Sequence, residues 1–207
     1  MPIVSHEVYP LFVEPYFRAN IAGSITPDQI EFISNLKMVN NPENMISENL
    51  YIFEEPQLKS IKDAVQEVLD IYARDVMCIT QRLYVTQSWS LICMPNAGMH
   101  GHSHSNSILS GSLYHHELPD PPSNMVFTRH TSYQQIDLDP PDPAKRNIYN
   151  SPINRVMPRQ NDIFLFSSRL THLVEPNRST TPRRSIAFNT FVKGTLGNYR
   201  AVTELHL

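Results

Sequence analysis

Histidines occupy alternate positions in His100-Gly101-His102-Ser103-His104-Ser105-Asn106-Ser107, directly ahead of the apolar run from Ile108 to Tyr114. Successive side chains of an extended segment point to opposite faces, so His102 and His104 can project to the same side. A neutral imidazole suits Fe, Zn, Cu or Ni, and two ligands at such positions leave a metal open toward the rest of the fold. A third ligand must then come from a distant stretch. His172, in Arg169-Leu170-Thr171-His172-Leu173-Val174-Glu175-Pro176-Asn177, follows an apolar strand pattern at a strand-to-loop boundary, where sites commonly sit. Spacing does not identify the metal. Two other arrangements stay open: the pair His100 and His102, or His104 as a contact to substrate or co-substrate only. Taken alone, the alternating histidines could equally form a solvated loop that binds stray divalent ions.

A second constellation begins eleven residues after His172. In Arg183-Arg184-Ser185-Ile186-Ala187-Phe188-Asn189, one strand face carries Arg183, Ser185, Ala187 and Asn189, polar or small, while Ile186, Phe188 and Val192 lie opposite. A polar inward face is what a barrel needs to hold a small anionic ligand in its mouth. Arginine grips a carboxylate through two parallel charge-assisted hydrogen bonds, and a serine two residues on can add a third. A lone Arg-x-Ser is ordinarily a surface feature; its nearness to His172 makes it informative.

The elements that must position these residues change character along the chain. Thr26-Pro27-Asp28-Gln29 supplies an N-cap, a proline at the first helical position and a glutamine three residues after the cap. Ile30, Ile33 and Leu36 then recur at helical spacing, and Asn40-Asn41-Pro42 ends the run. A second helix begins near Pro56, with Leu58, Ile61, Val65, Val68, Leu69 and Tyr72 in one stripe that packs outside a sheet. From about Arg82 the period becomes two. One face of this strand holds Leu83, Val85, Trp89, Leu91 and Cys93, and the other Thr86, Ser88 and Ser90. Trp89 reads as core rather than as a substrate platform, and His115-His116 as a strand end at the surface. Further strands are Ile108–Tyr114, Met125–Phe127, Asp162–Phe166 and Ser185–Val192. The proline-rich stretch 134–160 reads as an excursion over the surface, either a substrate lid or a plain loop.

The expected architecture is α+β in a single domain over 1–207, with a helical lead-in over 1–80 and a β sandwich or barrel over 81–195. The length suits one core rather than two, and 41% hydrophobic against 18% charged residues argues against disorder. A net charge of −3 without a long basic run gives no reason to propose nucleic acid or an anionic membrane as partner. No apolar stretch approaches a membrane span, and residues 1–7 lack signal-peptide character, so a cytoplasmic protein is expected. Cys78 and Cys93 are expected to be reduced, packed residues.

His102-Ser-His104-Ser-Asn106-Ser107-Ile-Leu109-Ser110-Gly111-Ser-Leu-Tyr114 resembles the H-x-H-x-N-S-x-L-S-G-x-x-Y signature of 2-oxoglutarate/iron(II) oxygenases of bacteria and phages, distant relatives of prolyl 4-hydroxylases. The downstream segments Phe166-Ser-Ser-Arg-Leu170-Thr-His172-Leu-Val174-Glu-Pro176-Asn177 and Arg183-Arg-Ser185-Ile186-Ala-Phe188-Asn189 resemble the same family. The resemblance covers roughly residues 80 to 195. It implies a double-stranded β-helix (jelly-roll or cupin-like), with His102, His104 and His172 as ligands of Fe(II). Arg183, aided by Ser185, would bind the distal carboxylate of 2-oxoglutarate, with Tyr114 and Ser110 facing the co-substrate from the neighbouring strand. O₂ would be the second co-substrate and ascorbate the reductant, and the reaction a hydroxylation with succinate and CO₂ as by-products.

One departure from the wider superfamily is written in the residues. The usual facial triad has a carboxylate at its second position, where this chain has His104. Two rival readings follow: a β-helix binding or virion-associated protein without catalysis, and a cupin-like three-histidine enzyme that uses no 2-oxoglutarate. The primary substrate is not readable; the relatives imply peptidyl proline, and a homodimer is neither required nor opposed.

Overall fold

The computed structural model describes residues 5–129 and 140–207. In chain order the elements are β1 (Tyr16–Asn20), α1 (Pro27–Ser34), β2 (Met38–Asn40), β3 (Met45–Ser47), α2 (Lys59–Tyr72), β4 (Arg82–Cys93), β5 (Met99–His102), β6 (Leu109–Leu113), β7 (Met125–Thr128), β8 (Ile153–Val156), β9 (Asp162–Ser167), β10 (His172–Val174) and β11 (Arg183–Lys193). They form a larger sheet ordered β1-β9-β6-β11-β4-β3-β2 and a smaller one ordered β5-β10-β7-β8, antiparallel throughout. Residues of both sheets meet in an apolar cluster of Tyr114, Met125, Phe127, Val156, Phe164 and Phe166.

The helices form where their caps and stripes require. Thr26 accepts from the Gln29 backbone N–H, and the Gln29 side chain accepts from the Thr26 N–H, a complete capping box. The helix stops at Ser34, short of the expected Leu36. Asn41 and Asn44 exchange backbone hydrogen bonds there and turn the chain into the β2–β3 hairpin. The α2 stripe is fully spent on the core: Leu58, Ile61, Val65, Val68, Leu69 and Tyr72 are at most 5% exposed, against Leu83, Leu113, Ile186 and Phe188 of the larger sheet. Residues 1–80 are therefore more than a helical lead-in, because β1, β2 and β3 extend both edges of the larger sheet.

The long strand β4 departs from the simple alternation. Asn189 pairs with Gln87 while Thr190 pairs with Val85, so Thr86 is the extra residue of a β-bulge. A one-residue insertion exchanges the two faces. Leu83 and Val85 consequently face the helices, whereas Trp89 and Leu91 turn toward the smaller sheet, and Trp89 is not core. Ser88 and Ser90, expected on a solvated face, are buried instead. Ser88 Oγ accepts from the Phe53 N–H, and Ser47 Oγ accepts from the Ser90 N–H.

Gly111 pairs with Phe188 across β6 and β11, and a Cβ there would stand 2.1 Å from the Phe188 ring. Only glycine lets that ring lie across the strand. Within the proline-rich stretch, Ile153–Val156 is a strand of the smaller sheet, paired with β7, so the end of the stretch is built into the fold; positions 134–139 lie outside the described residues. His115 is 0% exposed rather than a surface residue, because it follows β6 into the interior beside His116. Cys93 is buried, but Cys78 is exposed and not packed.

Candidate metal centre

The site is built at the edge of the smaller sheet, where β5 and β10 run antiparallel with His102 directly opposite His172. His104 follows β5 by two residues and is tied down by its backbone N–H, which donates to the Ser168 carbonyl at 2.9 Å. The three ring centroids lie 4.4, 5.0 and 5.2 Å apart, and one ring nitrogen from each falls within 4.8 Å of the other two. This is the geometry of three donors around one ion. No carboxylate joins them among the described residues.

Neighbouring carbonyls fix the tautomers. His102 Nδ1 lies 2.8 Å from the His100 carbonyl, and His172 Nδ1 lies 3.0 Å from the Leu170 carbonyl. A carbonyl can only accept, so both Nδ1 atoms carry hydrogen and both Nε2 lone pairs are left for a ligand role. Burial, with the neighbouring His102, pushes the His104 imidazole down to about 4. Burial also pushes His172 down to about 4; the Leu170 carbonyl opposes this, and His102 and His104 add to it. Neutral rings are the form that binds metal. Phe166 braces the His172 ring edge-on at 4.6 Å. His100 is not part of the group; it is exposed and turned to Glu43, with Nδ1 3.4 Å from the carboxylate.

Arg183, at the start of β11, lines the same inner cavity as the three histidines and is 2% exposed. Its Nη2 donates to the Tyr114 hydroxyl at 3.1 Å, and the guanidinium sits 5.1 Å over the Tyr114 ring. Its Nε is buried without a hydrogen-bond partner, and among the described residues no carboxylate pairs with it. Ser185 lines the cavity next along the strand. Tyr114 does not: it is fully buried behind the guanidinium and orients it. Ser110 reaches the lining and hydrogen-bonds Asn189 and Ser168. The inner cavity holds about 60 Å³. Met99 and Met125, unbranched and adaptable, are the lining side chains freest to make room.

A wider outer chamber of about 370 Å³ opens on the other side of His102 and His104, with Trp89, Gln87, Asn189 and Leu50 in its wall. Sequence reasoning missed Trp89 and Gln87 as chamber residues, since the bulge at Thr86 leaves no mark in composition or period. It also missed Asn177 as the clip of the site. That side chain is 0% exposed and donates to the Cys93 and Thr181 carbonyls. Its backbone meanwhile pairs with Asn96 and Ala97 ahead of β5.

The donor set fits a first-row divalent metal such as iron, and the guanidinium fits the far carboxylate of a keto diacid. The family described as "Putative 2OG-Fe(II) oxygenase" matches residues 87–189, a span that holds all three histidines and Arg183. No curated protein matches the sequence. Among solved structures, HygX from Streptomyces hygroscopicus, with nickel and 2-oxoglutarate bound, aligns at TM-score 0.57 and 13% identity over 86% of this chain and 82% of its own. The epimerase SnoN from nogalamycin biosynthesis aligns at TM-score 0.62 and 12% identity over 86% and 76%. A prolyl-4-hydroxylase from Pseudomonas putida aligns at TM-score 0.54 and 12% identity over 85% and 92%. At these identities the likeness is one of fold. With the family match lying over the segment that carries the histidines and the arginine, this chain belongs to the 2OG-Fe(II) oxygenase family and is an enzyme of the 2-oxoglutarate- and iron-dependent class.

Proposed function

We propose that the chain is an Fe(II)- and 2-oxoglutarate-dependent hydroxylase whose two antiparallel sheets form a double-stranded β-helix. His102, His104 and His172 would hold the iron, and Arg183 with Ser185 the co-substrate. The observation that carries this is Arg183, a cation buried to 2% exposure, without a carboxylate partner among the described residues, in the cavity lined by the three imidazoles. Leaving a guanidinium uncompensated in the interior costs roughly several kcal/mol. That cost is offset when an anion arrives, so the site is built to be completed by one.

Fe(II) bound there would supply the redox chemistry that couples decarboxylation of 2-oxoglutarate by O₂ to oxidation of a C–H bond. The protein's share is positioning and exclusion of water. Carbonyls of His100 and Leu170 hold two imidazoles in the donor tautomer. Tyr114 holds the guanidinium through its hydroxyl and ring, and the Cys93 thiol contacts it as well, so it has little freedom to lose when an anion binds. Leu91, Met125 and Phe166 make the rest of the wall apolar and dry. Seating a five-carbon diacid in the inner cavity would draw on the freedom of the two methionines. A three-histidine enzyme without 2-oxoglutarate would have no use for a buried, unpaired Arg183. The prolyl-4-hydroxylase likeness supports peptidyl proline as one substrate to try.

The test is anaerobic addition of Fe(II) and then 2-oxoglutarate, followed by visible absorption, with succinate measured after admission of O₂ and ascorbate. The native chain should develop a metal-to-ligand charge-transfer band and form succinate. In Arg183→Leu the 2-oxoglutarate concentration for half-maximal absorbance should rise roughly 10²-fold, as truncating a buried charge contact does. The metal-free variant should melt no lower than the native chain, because an uncompensated cation has been removed. A native chain that takes up iron but neither forms the band nor makes succinate is not a 2-oxoglutarate oxygenase.

A further inference from the structure

We propose that Asn189 is a specificity-determining residue, presenting its side-chain carbonyl to the outer chamber as the acceptor for an uncharged, ring-sized substrate that carries an O–H or N–H donor and stacks on Trp89. The proposal rests on the oxygenase reading only in calling that molecule the primary substrate.

Proton counting in the partly buried serine relay behind Asn189 assigns the amide. Ser107 Oγ lies 2.9 Å from the Leu109 carbonyl, which can only accept, so the Ser107 proton goes there. Ser168 Oγ, 2.7 Å from Ser107 Oγ, must therefore donate to it. Ser110 Oγ, 2.9 Å from Ser168 Oγ, must in turn donate to Ser168. Ser110 Oγ also lies 2.9 Å from the amide atom assigned as Asn189 Oδ1. With Oδ1 turned toward Ser110, four contacts share three hydroxyl protons, and one pair of buried oxygens meets with no hydrogen between them. The two ends of an amide have nearly the same shape, and the hydrogen-bond network decides which faces where. With Nδ2 toward Ser110 the fourth proton is supplied and every contact is satisfied. The Leu109 carbonyl thus sets the direction of the whole relay, and the relay turns Asn189 Oδ1 to the chamber.

The rest of the chamber agrees with that polarity. Asn189 stands opposite Gln87 across β11 and β4, at the bulge that brings Trp89 into the same wall. Ile46, Leu50 and Met99 give it apolar surface, and among the described residues no Asp, Glu, Lys or Arg lines it. A charged substrate would be desolvated there without a partner, whereas a flat or apolar body with one donor is served at both ends. The chamber borders His102 and His104, so a molecule held this way presents its C–H bonds to the metal side.

The test reads binding, not turnover. Trp89 is the single tryptophan of the chain, so its fluorescence reports occupancy of the chamber. The full chain is titrated with benzyl alcohol, benzyl methyl ether and benzoate, alike in ring and unlike in donor and charge. Benzyl alcohol should bind about tenfold more tightly than the ether, the worth of one hydrogen bond to a buried acceptor, and benzoate more weakly than the alcohol. Asn189→Leu should erase the preference. Ser110→Ala frees the amide to rotate and offer Nδ2 to the ether oxygen, so the alcohol-to-ether ratio should collapse toward one. A native chain that binds both equally, a Ser110→Ala chain that keeps the native ratio, or no Trp89 response to any probe would each overturn the proposal. Succinate formation in the same preparation separates the two readings. Turnover without donor preference removes this inference alone, and donor preference without turnover removes the oxygenase reading alone.

Discussion

The two faces of the larger sheet share the strands β4 and β11 and obey opposite rules. On the face under α2, Leu83, Ile186, Phe188 and Val192 are at most 3% exposed, and buried polar groups are tied to the backbone. Ser88 accepts from Phe53, Ser47 accepts from Ser90, and Thr190 donates to the Leu109 carbonyl. On the face toward the smaller sheet, burial is nearly as deep but pairing is left incomplete. Arg183 Nε has no partner, the Ser185 hydroxyl has none among the described residues, and three imidazoles converge with free nitrogens. Buried polar groups that are satisfied belong to the structure; those left open wait for something to bind. The bulge at Thr86 makes this division possible within one strand, because it sends the apolar residues before it to one face and those after it to the other.

The sharpest way to break this comparison is at the metal. His172→Ala removes the one candidate ligand of the three that is buried and opposes His102 across the strands. Partners that merely orient a metal ligand are worth 10- to 100-fold in affinity, so losing a ligand should lower Fe(II) or Co(II) uptake by more than about 10²-fold. Equilibrium dialysis under argon measures this. The metal-free chain should lose only the packing of the His172 ring on Phe127 and Phe166, so its melting temperature should fall by far less than metal affinity does. A large drop in melting temperature with metal uptake intact would mean that the face is structural after all.

The reciprocal change lies on the helix face. Leu69, 0% exposed in the middle of the α2 stripe, loses its contacts with the sheet in Leu69→Ala. Large-to-small substitutions of this kind cost about 2–5 kcal/mol through lost transfer energy and the cavity left behind. Urea denaturation should show that loss, while metal affinity measured well below the transition should remain native. Coupling between the two readouts would show that the faces are not separable.

This division also explains how much could be read beforehand. The α2 stripe, the Thr26 capping box and the strands around His102 and Arg183 follow from local period and cap chemistry, which the chain carries openly. The alternate positions of His102 and His104 and the apolar lead-in to His172 are local patterns too, but the choice of these three over His100 rests on the family resemblance, since spacing alone leaves both pairs open. Trp89 was hidden by a bulge whose extra residue, Thr86, is an ordinary strand threonine. The β2–β3 hairpin and β8 are short, and they are held in their sheets by β4 and β7, which are not contiguous with them in sequence, so tertiary pairing rather than local propensity makes them strands. Tyr114 was placed at the co-substrate by its spacing in the motif. The structure puts one strand residue, Arg183, in front of it.

One ionisable group past the end of β6 tests the comparison most finely, because it lies outside the cavity and yet both of its ring nitrogens are buried without a hydrogen-bond partner. His115 is fully buried, and burial is the first cause that pushes its imidazole down to about 3, with His116 and Arg184 adding to the effect and the Leu113 backbone opposing it. In the unfolded chain it would titrate near the ordinary 6.5. Between those values the unfolded state binds a proton that the folded state refuses, so stability is full above about 6.5 and is lost progressively as the pH falls toward 3. Between pH 7 and 5.5 this one group should cost about 1 kcal/mol. His104 and His172, also depressed, add to the same slope, so the measurement is a difference. Denaturation of the metal-free native chain and of His115→Leu at the two pH values should give a shallower pH dependence for the variant by about that amount. Equal slopes would mean that His115 takes up its proton in the folded state, so that an unpartnered buried imidazole outside the cavity is as accessible as the groups that line it.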